Sequence, residues 1–466
     1  MPEEKKRDKV EGFINELAAT VNVCAMYGEK HKLTVGAIDK LHESLNAILS
    51  ETEETTIGVI GDEVAFEEKP FYETSTRIKG FIDHLREIGV GKISFFTGVS
   101  KEELKELVRL LNVKPATLKE KDAFKQLFEA SGIENMTIGK IGYAASAKGR
   151  PPTQAERDVA IKDNYDECMD YLTKSYKGLK GKKPLNVSSA RQLVGGMITD
   201  LLKNKNLLVM LASARSHDDN MLAHGVNVSV FTLLQAEALG LDRKHMREIG
   251  VAALLHDTGK LSTSSEKSEE KDELTEKEEK AKFMQDVNGA KILLDTPGIS
   301  TLAAIVTYEH NIPYDNTGEP RKLYGEELNL ASMMIAVSEH YDKLRRKPDY
   351  QKDGGAEKIY EDMMKLSGKK FQPDLLNNFF TLVGVYPPGT LVELDSGDIG
   401  LVIQASKLDM RRPQVEILYN NKGERYKETR IINLLEKDKK RKFKWTVVRS
   451  VSPAGKYSVE QGEGTV

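Results

Sequence analysis

Six of the nine histidines in this 466-residue chain, His217, His224, His245, His256, His310 and His340, fall between positions 217 and 340. Imidazoles gathered in one stretch are a candidate divalent-metal site, because histidine and carboxylate are ligands that Mn, Fe and Zn accept. The strongest joint pattern is His224 with His256-Asp257. His224 opens the helical stretch HGVNVSVFTLLQAEALG, and His256-Asp257 ends the apolar run IGVAALLHDTGK. A carboxylate beside an imidazole at a helix end can hold one divalent ion together with a histidine from a neighbouring helix. Lys260, one turn on, is then placed to meet a phosphate oxygen. Taken singly, a histidine is more often a satisfied core or surface residue, and that reading is preferred for His217, His245 and His340.

The ordered blocks around these residues carry a resemblance. His224, LLHDTGK, GAKIL, EHNIPYDNTGEP and AVSEHYDKL follow one another between about Asp218 and Phe380. In that order they look like the HD-GYP family, the HD-superfamily metal phosphodiesterases that hydrolyse the bacterial second messenger cyclic di-GMP. The resemblance implies an all-helical phosphohydrolase fold, one or two divalent ions (Mn, Fe or Zn) and a cyclic dinucleotide as ligand. It implies metal-ligand roles for His224, His256 and Asp257, with Asp257 bridging two ions and catalytic together with Lys260, the lysine expected near the scissile phosphate. His310 matches the second histidine of the family's HH pair, and Glu339 matches the last Asp ligand with one extra methylene. Glu309 stands for the first histidine of that pair and serves as a ligand if its carboxylate turns inward. Asp315 and a downstream basic residue, Arg346 or Lys347, are the implied substrate-binding positions.

The departures from the pattern bear on chemistry. The histidine of the HPxxG motif is Gln285 here, and the GYP motif reads Gly318-Glu319-Pro320. A glutamine amide oxygen is neutral and weakly basic, so a second metal loses one strong donor. Two-ion hydrolysis needs both ions to clamp the phosphoryl oxygens, and Glu319 adds negative charge where a bis-phosphate substrate would approach. Two functions therefore stay open: a working phosphodiesterase on cyclic di-GMP or a related phosphodiester, and a degenerate member that binds metal or nucleotide and signals without turnover. A pure scaffold is disfavoured, since an abandoned site has no need of a buried charged cluster.

The elements that position these residues make the chain multidomain and mainly α. Residues 1–140 read as an α+β domain with a sensory or docking role: Val10 to Tyr27, Thr34 to Leu49 and Ser75 to Glu87 have helical spacing, and Thr55 to Phe71 alternates about Gly61-Asp62 like a hairpin. KISFFTG reads as a strand, and Ser100 with Glu103 as a capping box. Residues 141–217 read as a helical linker whose amphipathic stretch near 188–213 suits a homodimer contact. Residues 218–385 form the helical domain, and 386–466 a small β-rich appendage of short alternating segments.

Composition excludes several classes. Lys and Arg number 69 against 72 Asp and Glu, a net charge of −3, so no global field draws the chain to nucleic acid or anionic lipid. No apolar stretch approaches the ~18 residues of a membrane span, and the charged amino terminus lacks the apolar core of a secretory signal, so a cytoplasmic location is expected. Cys24 and Cys168 are too few for a disulfide framework. Neither a P-loop nor a nucleophile-elbow signature is present.

Overall fold

A computed structural model describes residues 3–52, 54–60, 62–66, 69–118, 123–133, 135–139, 154–181, 184–215, 221–262, 276–317, 327–452 and 457. The chain divides into two compact units, Met1–Ala160 with Asn186–Gln192, and Ile161–Leu185 with Leu193–Val466.

In the first unit α1 (Glu3–Tyr27) and α2 (Lys32–Leu49) precede β1 (Glu54–Ile60), β2 (Glu63–Phe66) and β3 (Lys69–Pro70). They are followed by α3 (Tyr72–Arg77), α4 (Lys79–Glu87), β4 (Lys92–Phe96), α5 (Lys101–Leu110), α6 (Ala123–Ala130) and β5 (Met136–Gly139). The five strands are antiparallel in the order β3-β2-β1-β4-β5. The expected hairpin is β1–β2, paired from Ile57 with Phe66 to Ile60 with Glu63. The single helix expected over 75–87 is instead α3 and α4, separated at Ile78, whose φ of −104° is not helical. The capping box forms as read: Ser100 accepts from Glu103 N, and the Glu103 side chain accepts from Ser100 N. The core gathers Phe13, Leu17, Leu41, Leu45, Phe95 and Leu104, all nearly inaccessible, with the Phe13 and Phe95 rings edge to face at 5.1 Å.

The second unit is helical, with a sheet at its carboxyl end. Two long helices, α7 (Gln154–Lys180) and α8 (Val187–Arg215), run into it, then α9 (Met221–Ala238), α10 (Arg243–Leu255), α11 (Glu276–Leu294), α12 (Thr301–Glu309), α13 (Leu330–Arg346), α14 (Gly355–Lys365) and α15 (Pro373–Val383). The linker expected over 141–217 is thus mostly helix belonging to this unit. The apolar stripe of α8 offered for a homodimer is covered within the chain instead. Val194, Met197, Ile198 and Leu201 are buried, and Val194 lies so near Gly250 that a Cβ there would come within 2.5 Å of its Cγ1.

Helix α9 is the axis of the unit. It is buried on all sides from Ala223 to Ala236, as a helix apolar around its circumference must be. Its polar residues therefore need partners inside the protein. Asn227 donates to Asp342 and accepts from the Tyr165 hydroxyl, Ser229 donates to Gly250 O, and Gln235 donates to Met334 O.

The carboxyl-terminal strands β6 (Leu391–Leu394), β7 (Ile399–Gln404), β8 (Gln414–Tyr419), β9 (Arg425–Asn433) and β10 (Val447–Val451) form one antiparallel sheet, ordered β10-β6-β7-β8-β9. The sheet is tied to α14: the Glu357 carboxylate accepts from Ser450 N at 2.7 Å and Ser450 Oγ at 2.6 Å. The sheet falls in the second compact unit. Among the described residues no helix is long and apolar enough to cross a membrane.

Candidate metal centre

Four elements deliver the site. His224 lies in the first turns of α9; α10 ends in a wholly buried run so that His256 becomes its C-cap and Asp257 begins the following turn. His310 is the C-cap of α12, and Glu339 faces inward from α13. One ligand atom each from His256, Asp257, His310 and Glu339 lie within 4.8 Å of one another, and all four residues are buried. His256 Nε2 is 3.5 Å from Asp257 Oδ2 and 4.0 Å from Glu339 Oε1, while His310 Nε2 is 3.9 Å from the same Glu339 oxygen. His224 stands beside this group, its Nε2 3.7 Å from Asp257 Oδ2.

The proton positions on these rings follow from their partners. His256 Nδ1 is 2.7 Å from Ala253 O, and His310 Nδ1 lies about as close to Val306 O and Thr307 O, at 3.1 and 3.0 Å. A carbonyl only accepts, so each Nδ1 carries the hydrogen and each Nε2 a lone pair; that of His256 faces the centre, and that of His310 accepts from Asn311 Nδ2 at 2.8 Å. His224 Nδ1 is held in the same sense by Asp342 Oδ2 at 2.7 Å. Asp342 is fully buried and also accepts from Asn227 and from Arg346 Nε at 2.9 Å. Nε2 of His224 and of His256 are buried with no hydrogen-bond partner among the described residues. Orphaned buried acceptors cost free energy, and imidazoles whose far nitrogen is fixed by a carbonyl or carboxylate are the usual dress of metal ligands. The donor set therefore fits a divalent ion of the Mn, Fe or Zn type.

Electrostatics agree. Burial pushes His256 down and holds His310 at about 4 against the pull of Glu339, so both rings are neutral at pH 7. Burial works to raise Asp257 and Glu339, but the ammonium groups outweigh it: Lys260 holds Asp257 well below the usual carboxylate range, and Lys343 does the same for Glu339. Lys260 Nζ lies 2.6 Å from Asp257 Oδ2, and Lys343 Nζ pairs with Glu339 Oε1.

The other expected positions have different partners. Glu309 is outside the four-donor group; its Oε2 accepts from the backbone N–H of Asn329, the N-cap of α13, at 2.9 Å. Asp315 is exposed and closes its own turn by accepting from Thr317 N and Oγ1, with Asn316 at a φ of 61°. Arg346 braces Asp342 through its Nε and so supports His224 from behind. His245 sits exposed at the amino end of α10 against Asp242, and His340 packs on Phe371 beside Lys370. His217 and the Gly318-Glu319-Pro320 segment lie outside the described residues.

Reading the sequence missed Asp342, Lys343, Lys282, Asp286 and Asn311. Asp342 and Lys343 follow Glu339 by three and four residues on one helix, a spacing that places side chains together. Asp286, next to Gln285, accepts from Asn311 Nδ2 at 3.0 Å, and the same amide meets His310 Nε2 at 2.8 Å.

An HD domain family matches residues 198–375, and a KOW domain associated with HD domain matches residues 391–453. Over 236 residues the chain is 30% identical to a cyclic di-GMP phosphodiesterase of Pseudomonas aeruginosa, covering 51% of this chain and 57% of that protein. The matched helical region is an HD domain of the HD-GYP type. A second HD-GYP relative, the cyclic di-GMP phosphodiesterase PdeB of Borreliella burgdorferi, is 24% identical over 200 residues, 43% of this chain and 52% of its own length. The chain thus spans about half the length of the curated relatives it matches. Among solved structures, a HDG"Y"P protein of Bdellovibrio bacteriovorus superposes with a TM-score of 0.40 at 15% identity, over 70% of this chain and 93% of its own.

Proposed function

We propose that the HD-GYP unit is a metal-dependent phosphodiesterase that hydrolyses cyclic di-GMP or a related cyclic dinucleotide. The observation that carries this reading is the locking of three imidazoles, each with Nδ1 committed to an acceptor, so that their Nε2 atoms converge on the buried carboxylates of Asp257 and Glu339. His224, His256, His310, Asp257 and Glu339 would hold the ion. When bound, it supplies Lewis-acid activation of water and of the phosphodiester. Asp257 sits at the junction of the His224 and His256 nitrogens, where it can also orient water. Lys260, partly exposed and paired with Asp257, is placed to take a phosphate oxygen once Asp257 is committed to the ion. Arg346, Asp342 and Asn227 keep the His224 ring turned inward, and the buried walls of α9 and α13 exclude bulk water.

A second reading, a member that binds metal or nucleotide without turnover, is favoured by Gln285 and by the engagement of Glu309 with Asn329, which removes two donors from a second ion. Cyclic di-GMP hydrolysis by purified protein under anaerobic conditions with Mn(II) or Fe(II), run beside Asp257→Ala, separates the two. Linear or mononucleotide product that disappears in the variant is the expected result. Bound nucleotide with no product in the wild type would replace this proposal by the second reading. Two relatives in Vibrio cholerae are named 3'3'-cGAMP-specific phosphodiesterases, so a parallel arm with 3'3'-cGAMP assigns the base preference.

A further inference from the structure

We propose that Lys343, backed by Lys282, supplies the positive charge that a second divalent ion would bring, so that the centre works with one ion and two flanking ammonium groups. The proposal rests on the phosphodiesterase reading above and adds to it how the phosphoryl oxygens are clamped.

The geometry is specific. Lys343 lies one helical turn after Glu339, its side chain is mostly buried, and its Nζ pairs with Glu339 Oε1. That oxygen is the one that faces both His256 Nε2 and His310 Nε2. On the other side Lys260 Nζ pairs with Asp257 Oδ2, the oxygen that faces His256 Nε2 and His224 Nε2. Each ammonium therefore touches a carboxylate oxygen that points into the donor cluster, and the two stand on either flank of it. Lys282 on α11 lies within electrostatic reach of Lys343, Glu339, Asp286 and Lys260.

Two consequences follow. A divalent ion held by Asp257 and Glu339 commits those carboxylates, leaving the Lys260 and Lys343 ammonium groups beside a centre whose positive charge then exceeds its negative charge. Only an anionic ligand restores balance, and a phosphoryl group has oxygens to meet more than one ammonium. A second divalent ion beside Lys343 would be repelled by the same charge, and the positions from which it would draw donors are Gln285 and the Asn329-bound Glu309. The lysines exchange no bond or proton in this role. They stabilise the negative charge that builds on the phosphoryl oxygens as water adds to phosphorus and the ribose oxygen leaves, with protons passing from water to solvent and from solvent to the leaving oxygen.

The test uses the full chain. Mn(II) is titrated into the chelator-stripped wild type and into Lys343→Gln, with bound metal counted by mass spectrometry and cyclic di-GMP hydrolysis followed in parallel. Expected are one ion per wild-type chain, the same count but about tenfold tighter binding in Lys343→Gln because a repulsive cation has gone, and a loss of kcat of about 10²-fold. Lys343→Arg, which keeps the charge, should retain the wild-type metal affinity, and Lys282→Gln should repeat the direction of Lys343→Gln if that variant folds poorly. Two ions per wild-type chain, or unchanged metal affinity with unchanged kcat in Lys343→Gln, overturns the proposal. A wild type that hydrolyses no cyclic dinucleotide defeats the phosphodiesterase reading instead, and the metal count and affinity shift still decide the charge substitution.

Discussion

Asp342 does at residue scale what the ligands cannot do for themselves. It fixes the hydrogen of His224 on Nδ1, and its own charge is balanced by Arg346, whose side chain is only 16% exposed. Outer partners of this kind typically change metal affinity 10- to 100-fold when removed. Asp342→Asn keeps the shape but withdraws the charge, so Mn(II) affinity should fall by roughly that factor. Stability should also fall by about 3 kcal/mol, because the mostly buried Arg346 loses the charge of Asp342. Isothermal titration with Mn(II) and a urea melt of the same preparation check both, and undiminished affinity would mean that His224 contributes no donor. The sequence made His224, His256 and Asp257 readable because imidazole and carboxylate stand together at helix ends. Asp342 was hidden, since a single aspartate in AVSEHYDKL has the same composition whether it faces solvent or an imidazole. Glu309 reads as a ligand only if its carboxylate turns inward, and the contact of its Oε2 with Asn329 N depends on the course of the chain, which no local signal carries.

At the scale of elements, the metal centre depends on how closely α11 lies against the turn that follows Asp257. A Cβ on Gly259 would stand 1.9 Å from Gln285 O, and one on Gly289 would stand 2.7 Å from Gly259 N. No side chain fits either place without moving α11, because backbone atoms form both obstacles. Gly259→Ala should therefore cost about 3 kcal/mol and weaken metal binding by displacing Asp257, read as a lowered thermal midpoint together with a reduced Mn(II) count. Gly289→Ala should act in the same direction. The hairpin, the strand β4 and the Ser100 capping box were legible because turn glycine, apolar alternation and cap spacing are local signals. Strand β9 was not: RYKETRIIN is exposed over most of its length and carries charges where an apolar face would show, so its membership of the sheet comes from pairing with β8. The stripe of α8 was visible but its partner was not, since an amphipathic helix reads alike whether its cover is a second copy or, as here, α10 of the same chain.

Over the whole molecule, burial of charge makes stability depend on pH from two directions. His310 is held at about 4 and His340 at about 3, each by burial first, while in the unfolded chain both titrate near the ordinary 6.5. Below that value the unfolded state takes protons that the fold refuses, so stability falls as pH drops from about 6.5 towards 4. Asp286 acts in the opposite sense. Burial, and Asp257 nearby, raise it to about 7 despite the Asn311 hydrogen bond, so between about 4 and 7 the fold keeps a proton that the unfolded chain has released. Stability is then lost as pH rises through that window; because the window overlaps that of the two histidines, which outweigh one carboxylate, the metal-free protein should gain net stability up to about pH 6.5 and lose it only from there to about 7. Asp286→Asn keeps the acceptor for Asn311 Nδ2 but has no charge to bury. In the presence of chelator it should match the wild type at pH 4 and exceed it at pH 8 by about 2 to 4 kcal/mol, with the acid limb unchanged because the histidines remain. Denaturant melts across pH 4 to 8 measure the difference directly: a gain that is equal at both ends would assign the effect to packing at position 286, whereas a gain confined to the alkaline side assigns it to a carboxylate that the fold must keep protonated beside the metal ligands.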